Sequence, residues 1–130
     1  MNRPVGVGVI GMGFMGRTHA LNAAHLARDE ETCTLAAVCS NGLRTIDDLL
    51  DTKSSGNLGA HGAWPETSRP AIAPDARSLF DNPDVDLVVI ATPTPTHVPF
   101  AREALQSGKH VLVEKPVALT ARELGPLVDA

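Results

Sequence analysis

Three glycines spaced Gly11-x-Gly13-x-x-Gly16 directly follow the apolar run Val5-Gly6-Val7-Gly8-Val9-Ile10. When a strand precedes this spacing and a helix follows it, each glycine has a mechanical purpose. Gly11 makes a tight turn, Gly13 lets the backbone approach a pyrophosphate, and Gly16 lets helix and strand pack closely. The anion is then expected on the N–H groups of Phe14 and Met15, at the positive end of the helix. The spacing alone also fits a glycine-rich hairpin. The Val/Ile run before it and the helical periodicity after it favour the phosphate turn.

A second cluster lies where the next apolar run ends. A site that reads a ribose 2′-hydroxyl wants a carboxylate there, and this chain has Ser40-Asn41. A hydroxyl and an amide, with Arg44 close behind, suit a 2′-phosphate instead. NADP is therefore the expected cofactor and NAD the alternative. Arg44 also reads as a solvated helix residue. A third cluster is Thr92-Pro93-Thr94-Pro95-Thr96-His97 and a fourth is Glu114-Lys115-Pro116, each directly after an apolar run. A lysine beside a reacting hydroxyl stabilises developing negative charge, whereas the plain reading of Lys115 is a surface lysine paired with Glu114. His97 is a candidate site residue, and His19 is read as structural.

The elements that must position these groups alternate along the chain. Phe14 to about Arg28 carries apolar residues at helical spacing, and Thr34–Cys39 reads as a buried strand. Thr45–Leu50 is a short helix with Thr45 and Asp48 placed as a capping box. From about Asp51 to Pro70 the glycines, prolines and hydroxyl residues predict a loop, which leaves only Ala71-Ile72-Ala73 for a third strand. Asp75 caps a helix running to Phe80, and Leu87–Ile90 is a strand buried on both faces. Thr96 is the expected N-cap of the next helix, with Gly108 ending it as a left-handed C-cap. His110–Val113 is a strand, and Thr120 to Glu123 opens a last helix that Gly125-Pro126 interrupts. Such alternation calls for a Rossmann-type doubly wound parallel sheet in three α/β/α layers, with the four clusters gathered at the carboxyl ends of its strands.

Composition narrows the function classes. The chain has 130 residues, enough for one domain with a real core and few for a two-domain enzyme. A net charge of −4, with three Phe, one Trp and no Tyr, argues against nucleic-acid binding. No apolar run is long enough to span a bilayer, and the ten residues before the glycine turn are too few for a cleaved leader, so a cytoplasmic location is expected. Cys33 and Cys39 bracket one strand at roughly 20 Å, far beyond the ~5.5 Å of a disulfide. Neither has a partner at metal-ligand spacing, and both read as small core residues.

Taken together, Gly11-x-Gly13-x-x-Gly16-x-x-His19, Ala91-Thr92-Pro93 followed by His97, and Gly108-Lys109-His110-Val111-Leu112-Val113-Glu114-Lys115-Pro116 resemble the N-terminal domain of the Gfo/Idh/MocA oxidoreductases. The resemblance covers essentially the whole chain. It implies an NAD(P)-binding Rossmann domain of an enzyme that moves a hydride between a nicotinamide cofactor and a sugar, cyclitol or related polyol. It assigns Thr92, Pro93 and Glu114 to the nicotinamide half of the cofactor, and Lys115 to the substrate as a hydrogen-bond donor and catalytic residue. Family members continue into a sixth strand and a second domain that carries the acid/base and the substrate pocket, and through which they form dimers or tetramers. The expectation is thus a truncated member or half of a split protein that acts on its polyol only with the missing domain. The alternative is a stand-alone dinucleotide-binding module, or an inactive fragment that needs a partner chain.

Overall fold

The structure, a computed structural model, describes residues 3–50 and 64–130. The opening valine and isoleucine run forms β1 (Val5–Ile10), buried along all but its first residue. The glycine turn leads into α1 (Phe14–Asp29), which turns Gly16, Ala20, Leu21, Ala23 and Ala24 inward. β2 (Cys33–Cys39) starts one residue earlier than expected, and α2 (Ile46–Leu50) follows behind the expected capping box. The Asp48 carboxylate accepts from the Thr45 N–H at 2.8 Å while the Asp48 N–H donates to the Thr45 hydroxyl at 3.2 Å. β3 is only Ala71–Ile72, and most of the predicted loop, residues 51–63, lies outside the described residues. α3 (Ala76–Phe80) begins on Asp75, whose carboxylate accepts from the Ser78 N–H at 2.7 Å.

β4 (Leu87–Ile90) is followed by a 3-10 turn over Thr94–Thr96 and then α4 (His97–Gln106). Thr96 does not cap α4 with its side chain. The preceding turn already holds Thr96 in helical backbone, so its hydroxyl points back, 2.6 Å from both the Thr92 hydroxyl and the Pro93 carbonyl. α4 ends as the glycine predicts: Gly108 has φ +76°, its N–H donates to Leu105 O at 2.9 Å, and the Lys109 N–H donates to Ala104 O at 3.0 Å. β5 (His110–Val113) comes next. The last helical stretch is a 3-10 turn over Ala121–Leu124 that passes into α5 (Gly125–Val128), so the expected interruption falls at Gly125-Pro126. Thr120 bonds Glu123 side chain to side chain at 3.2 Å and makes no side-chain cap bond to the amides ahead of it, so the predicted box is incomplete.

All five strands are parallel in the order β3-β2-β1-β4-β5. Helices cover both faces, as the alternation predicts. Val7, Val9, Val38 and Leu35 pack beneath α1 and α2, whereas Ile10, Val88, Ile90 and Ala37 pack with Leu79, Phe80, Ala101 and Ala104 of α3 and α4. Phe80 is 1% exposed and meets Phe100 edge-on, its centroid 6.4 Å away. Each such fully buried large side chain contributes about 1.5–3 kcal/mol. Cys39 is buried and Cys33 half-buried, at opposite ends of β2, and burial pushes both thiols up. Among the described residues no helix is long and apolar enough to cross a membrane.

Register does the positioning. Ile10 pairs with Cys39 on one side and Ile90 on the other, and Ile90 pairs with Val113. The residues that follow, Gly11, Ser40, Ala91 and Glu114, therefore stand in one row at the carboxyl edge. Backbone bonds extend the ladder into that row: Gly11 N–H to Cys39 O at 2.8 Å, Ala91 N–H to Ile10 O at 2.9 Å and Glu114 N–H to Ile90 O at 3.0 Å.

Candidate functional site

The three glycines differ in what a side chain would meet. Gly11 has φ +86°, and a Cβ there would lie 2.6 Å from Ala91 O. A Cβ on Gly16 would lie 1.6 Å from Gly11 O, so the first turn of α1 rests directly on the turn backbone. Gly13 has an ordinary φ of −71° and nothing within 4 Å of a Cβ. It faces open space at the head of α1, where Phe14 and Met15 begin the helix. An anion approaching the first-turn amides would fill the room that a Cβ there would take.

Beside this turn, at the end of β2, the Met12 N–H donates to the Ser40 hydroxyl oxygen at 3.2 Å. Ser40, Asn41 and Arg44 line a cleft of about 600 Å³ together with Gly11, Thr92 and Pro93. Its outer part is built by Asp75 and Arg77 at the head of α3 and by Phe100 and Glu103 of α4. Gly11 therefore meets the Ser40 and Thr92 clusters in this cleft, whereas Gly13, Phe14, Met15, Gly16 and Glu114 do not line it. The α3 and α4 residues escaped sequence reasoning because no motif marks them; only their place after β3 and β4 does.

Charges in the cleft are unequally committed. Arg77 pairs with Asp81 at 2.9 Å and approaches Glu103 at 3.6 Å. Asp75 is held by the Ser78 N–H, which keeps its carboxyl below the usual range. The Arg44 guanidinium donates to the neighbouring Leu43 carbonyl at 3.1 Å and its backbone N–H to the Asp48 carboxylate at 2.8 Å, and among the described residues no carboxylate ion-pairs with the guanidinium directly. The cleft thus offers an anion a guanidinium without an ion pair of its own, beside a hydroxyl and an amide.

Glu114 and Lys115 stand on the other side of the row. The His19 Nε2 lies 2.5 Å from Glu114 Oε1. The hydrogen bond from His19, with the charges of His19 and Lys115, holds the Glu114 carboxyl below its usual range against partial burial. His19, expected to be structural, is thus in direct contact with a candidate site residue. The signal was its place three residues after Gly16, on the helix face that lies against the turn. Lys115 is exposed, ahead of a cis peptide bond to Pro116.

His97 does not line the cleft. It is 2% exposed, with Nε2 2.7 Å from Thr92 O and Nδ1 2.8 Å from Pro116 O. A neutral imidazole donates to one of these carbonyls, and only the doubly protonated ring donates to both. It is buried between the loop after β4 and the loop after β5, with one ring nitrogen against a backbone carbonyl of each.

Comparison with known proteins agrees with this architecture. The family model "Oxidoreductase family, NAD-binding Rossmann fold" matches residues 5–130. A Shewanella baltica protein named as a glycosyl hydrolase family 109 protein is 34% identical over 129 residues, covering 96% of this chain and 25% of the relative. A levoglucosan dehydrogenase in complex with NADH and L-sorbose superposes with a TM-score of 0.72 at 27% identity, covering 98% of this chain and 32% of that one. A 3-ketoreductase from Actinomadura kijaniata in complex with NADP and TDP-benzene gives 0.69 at 26% identity, over 97% of this chain and 33% of the other. The chain thus spans about a quarter to a third of the length of the proteins it matches. With its five-stranded parallel sheet and glycine turn, the chain belongs to the Gfo/Idh/MocA family of oxidoreductases and carries that family's NAD-binding Rossmann fold.

Proposed function

We propose that residues 1–130 form the dinucleotide-binding domain of an oxidoreductase that acts on a CH–OH group of a sugar, cyclitol or related polyol. The observation that carries this reading is the open space at Gly13 at the head of α1, two residues from Gly11 in the row at the carboxyl edge. Gly11, Gly13, Phe14, Met15 and Gly16 hold the pyrophosphate. Ser40, Asn41 and Arg44 hold the adenosine ribose, and the Arg44 guanidinium, which has no ion pair among the described residues, favours a 2′-phosphate, hence NADP over NAD. Thr92, Pro93 and Glu114 border the nicotinamide half. When bound, the nicotinamide takes up or gives back a hydride. Lys115, exposed at that end, donates a hydrogen bond to the substrate oxygen and steadies the negative charge that grows on it.

Calorimetric titration of the purified chain with NADPH and, separately, with NADH tests this. Saturable binding with NADPH the tighter is expected. A folded chain that binds neither overturns the assignment of the cleft.

The name of the Shewanella relatives favours a second reading, glycoside cleavage on the same fold. Nicotinamide-dependent glycosidases are a known exception among glycoside hydrolases. Release of nitrophenol from a nitrophenyl glycoside by the protein, with no net reduction of added NADP, is the result that selects it.

A further inference from the structure

We propose that His19 and His97 are positioning residues for Lys115, acting through the residues on either side of it. The inference rests on the reading of Lys115 given above. His19 reaches from α1 to the Glu114 carboxylate at 2.5 Å, and His97, the first residue of α4, reaches the Pro116 carbonyl at 2.8 Å. The residue before Lys115 and the residue after it are thus each tied to a different helix, while the Glu114 N–H is fixed to Ile90 O at 3.0 Å. Lys115 itself is exposed, in a segment with no helix or strand of its own. A long side chain on an unsupported loop samples many positions. Bonds at its two neighbours confine the Cα and leave the ammonium free to meet a ligand. The second nitrogen of His97, 2.7 Å from Thr92 O, ties the same frame to the loop that borders the cleft.

The test uses the whole chain labelled with 15N-lysine, whose lysines are Lys53, Lys109 and Lys115. K115R identifies the Lys115 amide cross peak. The Lys109 amide, bonded to Ala104 O at the far end of α4, reports in the same spectrum whether the fold is intact. Asparagine places its amide nitrogen where Nδ1 stands, and glutamine where Nε2 stands. H97N therefore keeps the Pro116 bond and H97Q keeps only the Thr92 bond. Similarly, H19Q keeps a donor toward Glu114 and H19L does not. The expected result is a displaced Lys115 peak in H97Q and H19L and a peak near its wild-type position in H97N and H19Q, with Lys109 unmoved throughout. A role in stability alone does not produce that split. His19 is a quarter exposed, so its pair of variants serves even if the buried His97 variants do not fold.

A Lys115 peak that stays in place in H19L and H97Q, with Lys109 also in place, overturns the frame. NADPH added to the same wild-type sample tests the underlying reading separately. A frame that responds to the variants beside a Lys115 peak that ignores saturating NADPH overturns the assignment of Lys115 to the cofactor edge, and with it the functional role of the frame.

Discussion

Replacing Gly13 with valine separates binding from folding. The glycine has φ −71°, which valine adopts without strain, and a Cβ there meets no protein atom within 4 Å. The cost to the fold is that of losing a favourable N-cap residue, roughly 0.5–1 kcal/mol, which lowers the melting temperature by a few degrees. The cost to binding is larger. A Cβ stands about 1.5 Å out from the backbone, in the space a phosphate needs to reach the first-turn amides of α1. Two charge-assisted hydrogen bonds at about 1.5–3 kcal/mol each amount to about 3–6 kcal/mol, a rise in Kd on the order of 10²- to 10⁴-fold. Calorimetry with NADPH measures the Kd, and thermal unfolding followed by circular dichroism measures the stability. Gly16→Ala gives the opposite outcome, because its Cβ would lie 1.6 Å from Gly11 O and the turn must move to admit it, which damages the fold itself. A folded Gly13→Val chain that binds NADPH within threefold of wild type would refute the pyrophosphate assignment.

Two other outcomes follow from the geometry. Ser40→Asp keeps an acceptor for the Met12 N–H and adds a carboxylate where a 2′-phosphate would sit, so the ratio of NADPH to NADH affinity falls by at least tenfold; an unchanged ratio in paired titrations places the ribose contact elsewhere. Acid weakens the fold through carboxylates whose folded-state pKa is depressed: Asp86 by the Gly6 N–H and Arg3, Glu114 by His19, and Asp48 and Asp75 by the amides they cap. Their stabilisation is complete above the ordinary carboxylate range near pH 4 and is lost as pH falls through the depressed values. The urea midpoint is accordingly flat from neutral to about pH 5 and declines below about pH 4, with a shallower decline in Asp86→Asn; an equal decline in both removes Asp86 from the explanation.

Much of this architecture was legible because its signals are local. A Val/Ile run, a glycine that needs φ +86° and one that needs φ +76° mark β1, its turn and the end of α4 within a few residues. Even β3, with two residues to offer, was placed by what surrounds it. What the sequence left unseen are contacts that residue type and helical spacing do not announce. Thr96 has the right residue type for a cap, but the 3-10 turn before it redirects its hydroxyl. His19 meets Glu114 across 95 positions and His97 meets Pro116 across 19, contacts that spacing along one helix does not reveal. The outer cleft wall from Arg77, Phe100 and Glu103 exists only once α3 and α4 pack on the same face of the sheet.

The bond from the Met12 amide to the Ser40 oxygen bears on how such a domain can change its cofactor over evolutionary time. One oxygen atom steadies the glycine turn and, on the cofactor reading proposed above, sits where the two dinucleotides differ. Replacements that lack an acceptor at that reach weaken the turn before any change of preference can be selected. Aspartate, asparagine and threonine all retain one. The viable alternatives at this position are therefore few, and they include the residue that reads a bare ribose. On that reading, an ancestor of either preference would lie one substitution from the other, with the turn's acceptor kept throughout.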